Sequence, residues 1–129
     1  VEKGRRVRKA PEHVMSDRDS IKVRVEEREG VVILSPMGEI GYQEAPSFRL
    51  HIKQAFDKKP TRLVTDLSGV EYMSTPGLAT LVEALQISKR TQTPLVLCGL
   101  NEKVRAIFEI ARLHTVFKIT PDAAAAMTT

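Results

Sequence analysis

Apolar and polar positions alternate, cluster and recur along this chain in a fixed order. Ile21-Lys22-Val23-Arg24-Val25 alternates apolar with charged residues, as a half-exposed strand does. After a charged turn ending in Gly30, Val31-Val32-Ile33-Leu34 is a continuous apolar run that suits a strand covered on both faces; Pro36 and Gly38 are expected to close it. The two strands are near enough in sequence to pair as a hairpin. A first helix is expected to open near Pro46, with Ala45, Phe48, Ile52, Ala55 and Phe56 on its apolar side, and to end at Lys58-Lys59-Pro60. Leu63 to Leu67 reads as the third strand. Leu78, Leu81, Val82 and Leu85 then follow the i, i+3, i+4, i+7 spacing of one helix face, within a helix from about Pro76 to Lys89. Leu95 to Cys98 is a short strand stopped by Gly99. Asn101 caps a third helix bearing Val104, Ile107, Phe108 and Ala111. Val116 to Ile119 reads as a last strand, and Thr120-Pro121-Asp122 starts a small Ala-rich helix.

The order is β-β-α-β-α-β-α-β-α. Strands alternating with helices imply parallel crossovers, and the opening hairpin implies one antiparallel edge. The expected architecture is α/β: a mixed, mostly parallel sheet of about five strands packed by about four helices.

A chain of 129 residues is one domain by length. Its apolar runs are all too short to span a bilayer and no secretory h-region appears, so the expected compartment is the cytoplasm, without membrane insertion. The net charge of +4 is local: Lys3, Arg5, Arg6, Arg8 and Lys9 against Glu2 account for all of it within the first ten residues. Residues 1–19 therefore read as a flexible basic arm preceding a domain over residues 20–129. The arm has no interleaved aromatic and no groove-reading motif, so direct nucleic-acid binding is not expected.

Catalytic chemistry finds little footing. His13, His51 and His114 are not spaced as metal ligands, so no metal is expected. The seven glycines form neither a phosphate-binding loop nor a dinucleotide fingerprint, and neither Ser68 nor Ser74 lies in a nucleophile elbow. No cofactor and no enzyme activity are expected. Cys98, alone in an apolar run, reads as a buried strand thiol.

The informative stretch is Asp66-Leu67-Ser68-Gly69-Val70-Glu71-Tyr72-Met73-Ser74-Thr75-Pro76-Gly77-Leu78, where a strand ends and a helix begins on two adjacent hydroxyls. Backbone N–H groups lack partners at such a junction and the helix dipole favours negative charge. Capping alone would explain the residue types, with Thr75 as N-cap and Pro76 at the first helical position. A phosphate could use the same N–H groups.

This stretch resembles the signature loop of STAS domains, specifically the bacterial anti-sigma factor antagonists, whose pattern runs Asp-Leu-Ser-x-Val-x-x-Met-Asp-Ser-x-Gly-Leu. The resemblance extends from about Ile21 to Phe117 and implies the SpoIIAA-like STAS fold. It places the family's phosphoacceptor serine on Thr75, with Ser74 as the alternative acceptor. It also implies a function: a phospho-switchable module that sequesters an anti-sigma factor, often a serine/threonine kinase, and so frees a sigma factor, with a phosphatase resetting the switch. The implied contact surface comprises Gly41, Tyr42, Tyr72, Met73, Ser74, Thr75, Pro76, Gly77, Ala79, Thr80 and Glu83. Two acids of the family pattern are replaced here, one by Gly41 and one by Ser74. Their loss mildly favours an alternative, a STAS subunit of a lipid-transport ABC system that rests unmodified on its ATPase. An exposed strand edge at Ile21 could also pair with a second copy as a homodimer.

Overall fold

A computed structural model describes residues 20–129, so the expected basic arm over residues 1–19 lies outside the described residues. The chain opens with β1 (Lys22–Arg28) and β2 (Val31–Ile40), an antiparallel hairpin. Its two-residue turn places Glu29 at φ +53° and Gly30 at φ +82°, the left-handed pair that matches strand twist in tight hairpins. Then come α1 (Ala45–Asp57), β3 (Arg62–Asp66), β4 (Val70–Met73) and α2 (Thr75–Thr91). The chain finishes with β5 (Leu95–Cys98), α3 (Glu102–Ile110), a 3-10 turn (Leu113–Thr115), β6 (Lys118–Thr120) and α4 (Ala123–Thr128). The sheet has six strands in the order β1-β2-β3-β5-β6, with β4 pairing the far half of β2; every pair except β1–β2 is parallel.

The expected mixed sheet with an antiparallel edge and four helices is present, with three corrections. First, β2 does not stop at Pro36 and Gly38. It runs ten residues to Ile40. On one side Pro36 sits opposite Val23; on the other it falls between the residues that pair with β3 (31–34) and those that pair with β4 (38–40). The missing N–H therefore breaks neither parallel ladder. Gly38, at φ +93°, borders a register shift inside the β4 pairing, where Gly38 faces Val70 and Glu39 faces Tyr72. Second, residues 70–73 form a sixth strand inside the signature stretch, hydrogen-bonded along that extension. The last strand also begins later than expected, at Lys118, because residues 113–115 coil and Phe117 turns inward to meet Phe108 edge-on, ring centroids 5.7 Å apart.

Helices α1, α2 and α3 cover one face. Phe48, Ile52, Leu81, Ala84, Val104 and Phe108 meet Val32, Leu34, Leu63 and Leu97 there in one core. On the other face Val31, Ile33, Val64, Val96 and Cys98 lie under Ala126 of α4. The Arg62 guanidinium donates to the carbonyls of Ala126 and Met127, tying the end of α4 to β3. The Asn101 cap is as expected: Oδ1 accepts the Val104 N–H at 2.8 Å, while Nδ2 donates to the Val70 carbonyl at 2.9 Å and joins α3 to β4.

Cys98 is fully buried. Burial first, then the negative charge and hydrogen bonding of Asp66, push its thiol up to about 12. The thiolate is the reactive form. Native protein is therefore expected to leave a thiol-specific disulfide reagent unreacted at neutral pH, and denatured protein to consume one equivalent promptly. Prompt labelling of the native protein would show the strand exposed.

Candidate functional site: the start of α2 and its groove

Helix α2 starts one residue earlier than its sequence suggests. The N-cap is Ser74, Thr75 is the first helical residue and Pro76 the second, so the expected Thr75 cap is corrected. Ser74 has extended backbone and makes no side-chain cap. Its hydroxyl donates 3.0 Å to the Ile40 carbonyl, which also accepts the Ser74 N–H at 2.9 Å. This explains a serine where the family pattern has an acid. An ionised carboxylate only accepts hydrogen bonds, and the partner here is an acceptor. Ser74 fastens the start of α2 to the end of β2.

The expected pair of accessible hydroxyls is thus reduced to one. Ser74 is buried and engaged; Thr75 is exposed. Above Thr75, Pro76 brings no N–H, and the Leu78 N–H is already bonded to the Ser74 carbonyl at 3.0 Å. The helix start keeps its dipole and has no side chain filling it.

Of the other expected contact residues, Tyr42 is 78% exposed and Tyr72 48%. Ala79 is exposed, and Gly41, Pro76 and Glu83 are partly so. Met73, Gly77 and Thr80 are buried with Ser74. Met73, Ser74 and Gly77 carry the surface from beneath instead of forming it, while Thr80 reaches it only at the floor of the groove. The Thr80 hydroxyl donates to the Pro76 carbonyl at 2.9 Å within the first turns of α2. Gly41, where the family pattern has an acid, gives its N–H to Glu44 Oε1 at 2.9 Å. That places a carboxylate close to the missing acid's position by another route.

Tyr42, Pro76, Ala79, Thr80 and Glu83 line one open groove of about 450 Å³ between the first turns of α1 and α2. Ala45, Pro46 and Arg49 of α1 complete it, and sequence reasoning missed all three. Arg49 Nε and Nη2 donate to the two Glu83 carboxylate oxygens at 2.6 and 2.9 Å across the groove. The hydrogen bond, and then the charge, hold the Arg49 guanidinium more firmly protonated and the Glu83 carboxyl below its usual range. No local pattern announces this pair, because the partners are 34 residues apart. Among the described residues no cluster of His, Cys, Asp and Glu is arranged to hold a metal ion, and no helix is long and apolar enough to cross a membrane.

Comparison with known proteins gives the family and the fold. The model of the STAS domain family matches residues 22–126. The anti-sigma-B factor antagonist of Listeria monocytogenes is 31% identical over 101 residues, covering 78% of this chain and 89% of that protein. The crystal structure of an anti-sigma factor antagonist from Mycobacterium paratuberculosis superposes with a TM-score of 0.79 at 29% identity, covering 88% of this chain and 97% of that one. The phosphorylated form of the Bacillus cell fate determinant SpoIIAA shares the fold, with a TM-score of 0.63 at 15% identity over 81% of this chain and 96% of that one. With its family model matched over nearly all the described residues, and with relatives named as anti-sigma factor antagonists, this chain belongs to the STAS domain family.

Proposed function

We propose that this chain is an anti-sigma factor antagonist, a binding module without catalysis of its own, and that Thr75 is its phosphoacceptor. The observation that carries the reading is the exposed Thr75 hydroxyl at an α2 start that no side chain caps, beside the groove between α1 and α2. In this reading the unmodified surface, from Tyr42 and Tyr72 across Thr75 to Ala79 and Glu83, docks on an anti-sigma factor that is also a serine/threonine kinase. Transfer of a phosphoryl group to Thr75 adds about −1.5 to −2 charges at neutral pH. In a closed interface that charge is desolvated and repelled, so the complex separates. The domain keeps its fold, because a helix N-terminus accommodates an anion. A phosphatase then restores the free hydroxyl. Relatives named as anti-sigma factor antagonists support this function over an ABC-transporter subunit. Ser74 is set aside as acceptor because its hydroxyl is buried against Ile40.

The test is to incubate the protein with ATP and each anti-sigma kinase of its source organism, then map phosphate by mass spectrometry. One phosphate is expected on Thr75 and none on the Thr75→Ala variant. Stable binding without modification, or modification elsewhere, would remove the switch from Thr75.

A further inference from the structure

The groove beside Thr75 is one end of a longer seam. Helices α1 and α2 run side by side in the same direction, their first turns lining the hollow of about 450 Å³ and their last turns a second of about 700 Å³. Between them Glu83 faces Arg49 on one side and Lys53 at 3.9 Å on the other, and the charge of Arg90 also reaches it. Lys59 and Asp57 stand at the far end. Four cations thus line the seam against two carboxylates, and neither Lys59 nor Arg90 forms an ion pair with another described residue. Cations near helix C-termini complement the dipole, which accounts for Arg90 and Lys59. Arg49, in the second turn of α1, is held by Glu83. Between the charges the lining is mixed: Ala45, Pro46 and Ala79 give apolar footing at one end and Phe56 and Ile87 at the other, beside Thr80 and, at the far end, Thr61, Thr91, Gln92 and Thr93.

Resting on the antagonist reading above, we propose that the α1–α2 seam receives an acidic segment of the anti-sigma partner, with apolar side chains seated in the two hollows. The excess of cations selects an acidic occupant. The chain's own first ten residues carry the same sign of charge and offer no complement to it. Thr75 lies one turn before Ala79, on the rim of the seam. A phosphate there would face the same acidic segment, which gives the switch a second source of repulsion.

The experiment measures association of the wild-type protein with the kinase that phosphorylates it, at low and high salt, beside Lys53→Glu and Arg90→Glu. Each single reversal is expected to slow association about tenfold at low salt, with the difference shrinking at high salt. Rates for both reversals within about twofold of wild type, with Thr75→Glu still blocking binding, would overturn the seam and leave the antagonist reading standing. If the wild type bound no such kinase, the antagonist reading would fall and the seam with it. If the same reversals instead abolished binding of a labelled DNA duplex and left the kinase untouched, the occupant would be nucleic acid and the proposal would be wrong.

Discussion

Replacing Gly77 with valine is expected to destabilise the protein by about 3 kcal/mol, the upper range for overpacking a well-filled site. Gly77 lies in the first turn of α2, with ordinary helical backbone, so its requirement is space and not dihedral freedom. A Cβ added there would sit 2.6 Å from Met73 Cγ, 3.0 Å from Ile40 Cγ2 and 3.1 Å from the Ile40 carbonyl oxygen. The methionine can turn aside, but the Ile40 carbonyl cannot. It already accepts both the Ser74 N–H and the Ser74 hydroxyl, so retreating would break the link between β2 and α2. Valine gains some helix propensity over glycine, at most a few tenths of a kcal/mol, which does not offset the clash. Against a typical stability of about 5–15 kcal/mol the loss is large and would appear directly in a urea titration. Adding Met73→Ala should recover only part of it, since the contacts with Ile40 remain. Full recovery in the double variant would show that the methionine alone sets the spacing, and an undiminished midpoint in Gly77→Val would show that α2 is free to lift.

Thr75→Glu is expected to weaken binding to the anti-sigma kinase about a hundredfold while leaving the unfolding midpoint nearly unchanged. The two halves of the prediction have different causes. Thr75 is exposed, so a new side chain meets no core atoms, and a carboxylate in the first turn of a helix is favoured by the dipole. Binding, by contrast, would seal that carboxylate against a partner surface that the proposed seam requires to be acidic. Like charges forced together without water cost several kcal/mol. Thr75→Ala separates charge from the loss of the hydroxyl: it should bind as the wild type does, yet accept no phosphate. Calorimetric titration of the three proteins with the kinase reads all of this. Equal affinity for Thr75→Glu and wild type would remove Thr75 from the interface.

Most elements and the strand-to-helix junction that opens α2 were legible in the sequence because their signals are local. The apolar spacing from Leu78 to Leu85 lies on one helix, the Asn101 cap acts three residues ahead, and the loop motif is contiguous. Three features were not legible. The extension of β2 past Pro36 depends on where β3 and β4 pair along it. The choice of Ser74 over Thr75 as cap depends on the Ile40 carbonyl, 34 residues away. The Arg49–Glu83 pair depends on α1 and α2 lying side by side.

Sequence by itself determined the order of the helices and of five of the six strands, the hairpin edge, and the place where two hydroxyls begin α2, because periodicity and turn chemistry act over a few residues. Only the tertiary structure decided which hydroxyl faces solvent. Ser74 is drawn inward by an acceptor at the end of β2, and Thr75, one residue further around the helix, is left outside. Burial of that kind is settled by what packs against a residue, and the packing partner here comes from a strand that ends before α1 begins.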